Sequence, residues 1–303
     1  MARRDAGVAG ALMLDTVRLF DDSGWGREGT DGPTRGVEAV VESGAVLCFP
    51  RLRFELADDE RRLLDSGVAD GKSKNISLRG PGGDVRGAAP EYADALGQMM
   101  RRFRAQATSF AERLFPHYRG ALRMGNTSFR PVAIEGRQTS WRKDDTRLHV
   151  DAFPSNPMQG DRLLRVFHNL NPHGRPRHWR IGEPFEDFAR RFLPAIPPPR
   201  PGSAALLYAL RITKSRRTPY DHYMLHLHDL AKADADYQRN APQSEFDFTP
   251  GTTWVVYSDQ VLHAAMSGQF MMEQTFYLAP SRLADVTSAP VHVLQRLLGR
   301  PLL

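Results

Sequence analysis

Three residues of the types that bind catalytic iron stand at a spacing that brings them together. His149 and Asp151 are separated by one residue in TRLHVDAFPS, and His263 follows a strand-like run in VVYSDQVLHAAMS. Residues i and i+2 of a strand project from the same face, so these two side chains reach one point. Two histidines and one carboxylate form the facial triad of non-haem Fe(II) oxygenases, which leaves positions open for 2-oxoglutarate and O2. The sequence therefore predicts such an iron site at His149, Asp151 and His263.

The distal carboxylate of 2-oxoglutarate needs a cation or a cluster of hydrogen-bond donors. The stretch after His263 contains no Arg or Lys, and Gln274 stands roughly where a cation is usual. Arg165 in RLLRVFHNLN is the first candidate, because an arginine between apolar strand residues is costly to bury without an anion. A structural salt bridge is the competing interpretation. The cofactor-binding candidates are Arg165, Arg162, Asn169 and Gln274, with Arg142 in reserve.

The elements around these residues predict an α+β fold. Apolar side chains recur at helical spacing over residues 90–115, and further helices are predicted from about Glu183 and over residues 289–299. Residues 71–80 are predicted as a polar loop. The β-like runs are RPVAIEG, TRLHVDAF, RLLRVFHNLN, AALLYAL, TTWVVYS and EQTFYLA. Many strands after an early helix indicate a double-stranded β-helix, a cupin-like jelly roll, with flanking helices.

The composition limits the classes of protein to which this chain can belong. The 303 residues carry a net charge of +6 with 41% hydrophobic residues, and no apolar run is long enough to span a membrane. The basic residues are not interleaved with stacking aromatics, so no nucleic-acid partner is predicted. The start of the chain lacks the apolar core of a signal peptide, and Cys48 alone cannot form an internal disulfide. Cys48 is predicted to be a buried thiol.

A second group of histidines lies in YDHYMLHLHDLAKADADYQ. His222 and His226 have the i, i+4 spacing of one helix face, and His228 follows. A zinc site is conceivable, but no HExxH pattern accompanies it. Helix histidines without a ligand role are the simpler interpretation, and His228 is the candidate for touching substrate.

Longer blocks of the sequence resemble the hydroxylases of 3-deoxy-D-manno-oct-2-ulosonic acid (Kdo). They are SWRKDDTRLHVDAFPS, LRVFHNLNPHG, WRIGEPFEDFARRFLP, GKSKNISL and TPYDHYMLHLHD, within about residues 45–280. The resemblance implies hydroxylation of carbon 3 of Kdo in the lipopolysaccharide inner core, giving the acid Ko. It implies Fe(II), 2-oxoglutarate, O2 and the reductant ascorbate, with iron at His149, Asp151 and His263.

The implied substrate carries a carboxylate on Kdo and phosphates on its lipid A anchor. The candidates for binding it are Lys72, Lys74, Arg142, Lys143, Arg147 and His228, for which ordinary surface charge is the alternative interpretation. We expect one oxygenase domain over residues 1–303, with a loosely packed extension at 1–40 and the β-helix core at about 130–280. We expect a cytoplasmic protein that contacts the anionic cytoplasmic face of the inner membrane; the oligomeric state, a homo-oligomer included, stays open. An oxygenase of another substrate and a non-catalytic, cupin-like sugar-acid binder are the alternatives.

Overall fold

A computed structural model describes the chain at residues 16–26, 36–73, 75–80, 82–137 and 139–303. The β-strands are β1 Val17–Leu19, β2 Val46–Phe49, β3 Ile76–Leu78, β4 Val85–Arg86, β5 Arg123–Arg130, β6 Arg162–Asn169, β7 Arg177–Gly182, β8 Gln243–Phe248, β9 Thr253–Tyr257, β10 His263–Ser267 and β11 Met271–Leu278. The α-helices are α1 Val37–Glu42, α2 Ala93–Leu114, α3 Phe185–Phe192, α4 Ser203–Ala209, α5 Pro219–Ala233, α6 Ala235–Asn240 and α7 Pro290–Leu298.

The strands form two sheets that pack against each other. The larger sheet has the order β1-β2-β9-β6-β11-β5-β3-β4, and the smaller has the order β10-β7-β8. Phe167 and Trp254 from the larger sheet contact Trp179 and Phe248 from the smaller one in a single buried cluster. Helices cover the outer face of the larger sheet. This architecture is the predicted jelly-roll core with flanking helices.

Strand β6 lies inside the larger sheet and is buried along its whole length. Leu164 and Val166 join the outer cluster with the helices, whereas Phe167 joins the cluster between the sheets. Covering both faces requires apolar side chains on both, which explains why the strand reads as an almost continuous apolar run. Successive residues alternate between faces, so Arg162 and Arg165, three residues apart, project to opposite sides.

The predicted helices are confirmed. The helix predicted over residues 90–115 is α2, preceded by a 3-10 turn that begins at Pro90. Its predicted apolar stripe, including Leu96, Met99 and Phe103, is buried in the outer cluster. The helices predicted from about Glu183 and over residues 289–299 are α3 and α7.

Three of the predicted β runs are wrong. AALLYAL lies in helix α4 and the turn after it, because alanine and leucine favour helix more than strand when no partner strand is adjacent. RPVAIEG leaves the sheet at Pro131, which lacks the amide hydrogen needed to continue β5. TRLHVDAF makes only an isolated bridge, between His149 and His263. The polar segment 71–80, predicted as a loop, contains the short strand β3.

The larger sheet also takes strands from outside residues 130–280. β1 and β2 come from the first fifty residues, and β5 begins at Arg123. Most of the predicted 1–40 extension lies outside the described residues. No helix in the described ranges is long and apolar enough to cross a membrane. Cys48 on β2 is buried, which confirms a core thiol, and burial raises the pKa of this thiol to about 12.

Candidate metal centre

The backbone brings the three predicted ligands to one point. The amide of His149 donates to the carbonyl of His263 at 3.1 Å, and the amide of His263 donates back at 2.9 Å. The amide of Asp151 donates to the carbonyl of Ser258 at 2.8 Å, just beyond strand β9. The ligand atoms of His149, Asp151 and His263 consequently all lie within 4.8 Å of one another.

Hydrogen bonds fix both imidazole rings for coordination through Nε2. His149 Nδ1 lies 2.7 Å from the carbonyl of Arg147, and His263 Nδ1 lies 2.8 Å from the carbonyl of Val261. A carbonyl can only accept, so Nδ1 carries the hydrogen in each ring and Nε2 keeps its lone pair. Burial lowers the pKa of both histidines, and their mutual charge adds to this at His149. Both rings are therefore held neutral, the form that binds a metal.

The carboxylate of Asp151 is held ionised by an arginine. Burial alone would raise its pKa, but opposing interactions, of which the charge of Arg165 is the largest, lower it. Nη2 of Arg165 lies 3.2 Å from Oδ2 of Asp151, while that oxygen, buried, accepts no well-formed hydrogen bond. A buried, ionised oxygen that lacks a hydrogen bond, beside two Nε2 lone pairs, fits a divalent metal such as Fe(II).

Arg165 is also paired on its far side. Its Nη1 lies 3.1 Å from Oε1 of Glu273, and the other oxygen of Glu273 accepts from Arg130 at 2.6 Å. Burial alone would lower the pKa of Arg165, but Asp151 and Glu273 reverse this and raise it. The predicted burial of Arg165 is confirmed, and its charge is already matched by two carboxylates of the protein itself.

A cavity of about 50 Å³ extends from the three ligands between the two sheets. Its walls include Phe167, Trp179 and Met271, and the Trp179 ring stacks on His263 with a centroid separation of 5.0 Å. Larger hollows of 290 and 560 Å³ lie at other places on the surface and contain none of the ligands. The convergence of side chains, not the volume, therefore identifies the site.

Arg177 on β7 is the cavity's least compensated cation. It is 3% exposed, its Nη1 donates to the carbonyl of Gly268 at 3.2 Å, and its Nε has no partner. Burial lowers the pKa of Arg177 to about 9, and the neighbouring charge of Arg130 adds to this, while the more distant carboxylates of Asp145 and Glu135 offset part of it. The described carboxylates form no ion pair with it. A buried cation of this kind attracts a carboxylate from a ligand.

Known proteins resemble the chain over nearly its whole length. The family model for 3-deoxy-D-manno-oct-2-ulosonic acid (Kdo) hydroxylase matches residues 24–301. The chain belongs to the Kdo hydroxylase family. No curated protein matches it.

Solved structures of the Kdo hydroxylase KdoO, described as a non-haem Fe(II) and α-ketoglutarate (2-oxoglutarate) dependent dioxygenase, are similar throughout. The complex with α-ketoglutarate and Fe(III) shares 44% identity, with 95% of this chain and 97% of that chain covered and a TM-score of 0.88. The cobalt(II) complex shares 45% identity at the same coverage, with a TM-score of 0.89. The predicted fold and the predicted enzyme class, an Fe(II)- and 2-oxoglutarate-dependent dioxygenase, are confirmed.

Helix α5 forms another side of the centre of this Kdo hydroxylase. The ring of His228 meets that of His149 edge to face, with centroids 5.4 Å apart. One turn later Lys232 is 2% exposed, and its ammonium donates to the carbonyl of Arg142 at 3.2 Å. After burial and the charge of His263, the charge of Lys232 lowers the pKa of His149 further. Lys232 was not predicted, although its i, i+4 spacing from His228 in HLHDLAK was a usable signal.

Three of the predicted cofactor-binding residues lie away from the cavity. Arg162 projects from the opposite face of β6 and is bonded to Asp259 at 2.7 Å and Gln260 at 2.6 Å. The side chain of Gln274 accepts from Thr127, and the Asn169 amide donates to the carbonyls of Arg175 and Phe248. Strand alternation explains Arg162 and Gln274, since a shift of one residue reverses the face. Asn169 shares the face of Arg165 but lies four residues further along β6, at the end of the strand.

The predicted substrate residues divide into two groups. Arg147 donates to the carbonyl of Lys232 at 2.6 Å, and Arg142 pairs with Asp229 at 3.1 Å, so both lie against α5. Lys143 is exposed on the same 3-10 turn as Arg142. Lys72 is exposed in the 71–80 segment, and Lys74 lies outside the described residues. The histidines at 222 and 226 contact each other on α5, with centroids 4.1 Å apart, and join no group of potential metal ligands in the described chain.

Proposed function

We propose that this member of the Kdo hydroxylase family replaces a hydrogen on carbon 3 of Kdo in the lipopolysaccharide inner core by hydroxyl, giving Ko. The reaction consumes one 2-oxoglutarate and one O2 and releases succinate and CO2. One oxygen atom enters the sugar and the other enters succinate. The convergence of two neutral imidazoles and one ionised carboxylate within 4.8 Å carries this proposal.

His149, Asp151 and His263 would hold Fe(II), which, with 2-oxoglutarate and O2, supplies the oxidising power for the C–H bond. The protein fixes the ligands in advance. Carbonyl groups orient both rings, and Arg165 keeps Asp151 ionised. The rings of Phe167 and Trp179 form the apolar part of the cavity wall and would limit the access of water to the reacting atoms.

Arg177 is the group that would bind the distal carboxylate of 2-oxoglutarate. Arg165, the residue predicted from the sequence, is already matched by Asp151 and Glu273, and Arg130 is matched by Glu273. Arg177 lines the same cavity without such a partner in the described chain. An added carboxylate therefore gains most at Arg177, because there it compensates a buried charge.

The α5 side of the centre would receive the sugar acid. His228 contacts His149, Lys232 supplies positive charge beside it, and Arg142, paired with Asp229, lies next to Lys232. A carboxylate on Kdo would be recognised by such groups, and the sugar hydroxyls by imidazole nitrogen. This orientation would place carbon 3 toward the metal ligands. Lys72, Lys74, Lys143 and Arg147 remain predicted outer contacts.

The broader predictions complete the proposal. One oxygenase domain is supported by a sheet that joins strands from Val17 to Leu278. Ascorbate would keep the iron in the Fe(II) state, and a cytoplasmic position at the inner membrane would give access to lipid-linked Kdo. A homo-oligomer stays a prediction.

The decisive experiment measures succinate from the anaerobically purified protein after addition of Fe(II), 2-oxoglutarate and O2, with and without Kdo2-lipid A. We expect Kdo-dependent succinate and a product heavier by one oxygen atom. His149→Ala should abolish both, whereas His117→Ala, a histidine whose side chain is 72% exposed, should behave as the wild type.

The other outcomes separate the alternatives. Iron binding with succinate that does not respond to Kdo2-lipid A would keep the oxygenase and exclude this substrate. Binding of the glycolipid without any succinate would support the non-catalytic sugar-acid binder instead.

A further inference from the structure

Helix α4 and the turn after it expose a row of large apolar side chains. Leu206 and Leu210 are each 60% exposed, Ile212 is 52% exposed and Tyr208 is 47% exposed. No residue of α4 is buried. These four are more than half of the seven large apolar side chains exposed in the described ranges, and they fall within seven consecutive residues. Single exposed apolar residues are ordinary, but a contiguous group marks an interaction surface.

The charge around this row has one sign. Between Asp187 and Asp221 the chain contains no acidic residue. The basic residues that flank α4 are Arg200, Arg211, Lys214, Arg216 and Arg217. Three of these arginines line a groove of 370 Å³ between α4 and the start of α5. Protruding apolar side chains within a border of arginine and lysine match the chemistry of an anionic bilayer, whose headgroups attract cations while its acyl region takes apolar groups.

The row is attached to the loop that follows the metal ligand Asp151. The amide of Lys214 donates to the carbonyl of Ser155 at 2.9 Å, and the Gln159 side chain donates to the carbonyl of Arg216 at 3.1 Å. Lys214 also borders a cleft of 560 Å³ that reaches Phe153, two residues beyond Asp151. A surface that receives α4 would therefore lie next to the loop that carries a metal ligand.

We propose that Leu206, Tyr208, Leu210 and Ile212 insert into the surface of an anionic phospholipid bilayer while Arg200, Lys214 and Arg216 contact its headgroups. We call these seven residues the α4 surface. The absence of carboxylates from residues 188–220 favours a lipid surface over a second copy of this chain, since a self-complementary interface would have to bring these cations together. The choice of a bilayer rests in part on the proposed function, whose substrate is lipid-linked.

Vesicle flotation tests the α4 surface without iron or substrate. We expect the wild type to bind vesicles of equimolar phosphatidylcholine and phosphatidylglycerol, to bind phosphatidylcholine vesicles much less, and to dissociate at high salt. The variants Leu206→Ser/Leu210→Ser and Arg200→Gln/Lys214→Gln/Arg216→Gln should each weaken binding to the anionic vesicles about tenfold or more.

Matched controls lie on another part of the surface. Val286 is 41% exposed, and its segment is joined to α1 through the bonds of Ala284 and Asp285 to Glu42. Val286→Ser and Arg282→Gln should bind the anionic vesicles as the wild type does. Because every substituted side chain is exposed, thermal unfolding should be unchanged in all variants.

Wild-type protein that fails to bind anionic vesicles, or variants that bind them as well as wild type, would overturn the proposal. Loss of self-association in the Leu206→Ser/Leu210→Ser variant with unchanged flotation would assign the surface to a second copy of the chain. Turnover of a deacylated, water-soluble Kdo substrate keeps the two proposals distinguishable. It should be normal in the α4 variants. Absence of turnover of both this substrate and Kdo2-lipid A in wild type that still floats would refute the hydroxylase function while leaving the docking surface intact.

Discussion

Replacing Arg177 by methionine should separate cofactor binding from folding stability. If Arg177 binds the distal carboxylate of 2-oxoglutarate, Arg177→Met loses one partner of a buried, hydrogen-bonded charge pair. Such losses cost about 2–5 kcal/mol. Methionine fills much of the space and avoids burying a charge in the free protein, so we take the lower end. The KM for 2-oxoglutarate should then rise by about 30- to 100-fold with little change in kcat.

Arg177→Met should weaken the binding of 2-oxoglutarate without lowering the stability of the fold. Burial lowers the pKa of Arg177 to about 9, so its charged form is disfavoured in the folded protein. Replacement of buried ion pairs by apolar residues of similar volume is often neutral or stabilising by about 1–4 kcal/mol, and a buried arginine without an ion pair has still less to lose. The hydrogen bond to Gly268 offsets part of this gain. We expect the free energy of unfolding of the ligand-free variant to be unchanged or higher, measured by urea denaturation.

Arg180 supplies the matched control because it lies on the same strand and faces the other way. Its guanidinium donates to the carbonyl of Thr146 at 2.8 Å and to that of Gln238 at 3.0 Å. Arg180→Met should lower stability by about 1–3 kcal/mol and leave the KM for 2-oxoglutarate unchanged. An unchanged KM in Arg177→Met, or an equal rise in both variants, would refute the assignment.

Three further substitutions test the surrounding charges. Arg165→Met leaves the carboxylate of Asp151 without its arginine, while Glu273 keeps Arg130. It should lower the free energy of unfolding by about 3–5 kcal/mol, measured in urea, and a smaller loss than in Arg180→Met would contradict this. Burial lowers the pKa of His168 from 6.5 to about 3, so below pH 6.5 the unfolded chain takes up a proton that the folded protein does not. Wild type should therefore lose about 2 kcal/mol of stability at this residue between pH 7 and pH 5, and the same pH dependence in His168→Gln would show that another group causes it. Lys232→Met should raise the KM for the Kdo substrate about tenfold with the KM for 2-oxoglutarate unchanged, in the succinate assay; a change in the second constant alone would place Lys232 with the cofactor.

The sequence determined those features that depend on local periodicity. The apolar stripe of α2 follows from the 3.6-residue repeat, and residues i and i+2 must share a strand face. The i, i+2 spacing correctly placed His149 and Asp151 together, although their segment forms only a single bridge and not a full strand. The apolar neighbours of Arg165 correctly indicated that it is buried. The resemblance of long blocks to the Kdo hydroxylases then named the family that the comparisons show.

Tertiary structure alone decided which way each strand faces and what covers it. The local sequence pattern could not show which of two adjacent residues faces the cavity. Glu273 lies beside the cavity arginines, whereas Gln274 bonds Thr127 on the other side of β11. The pattern also could not show that Arg177 lacks the two carboxylates that pair with Arg165. These carboxylates, Asp151 and Glu273, come from segments that are more than a hundred residues apart in the chain. The exposed helix α4 was predicted as a β-strand for the same reason. The sequence of an apolar run does not reveal whether another element will cover it. Only the folded structure shows that none of the described elements covers α4.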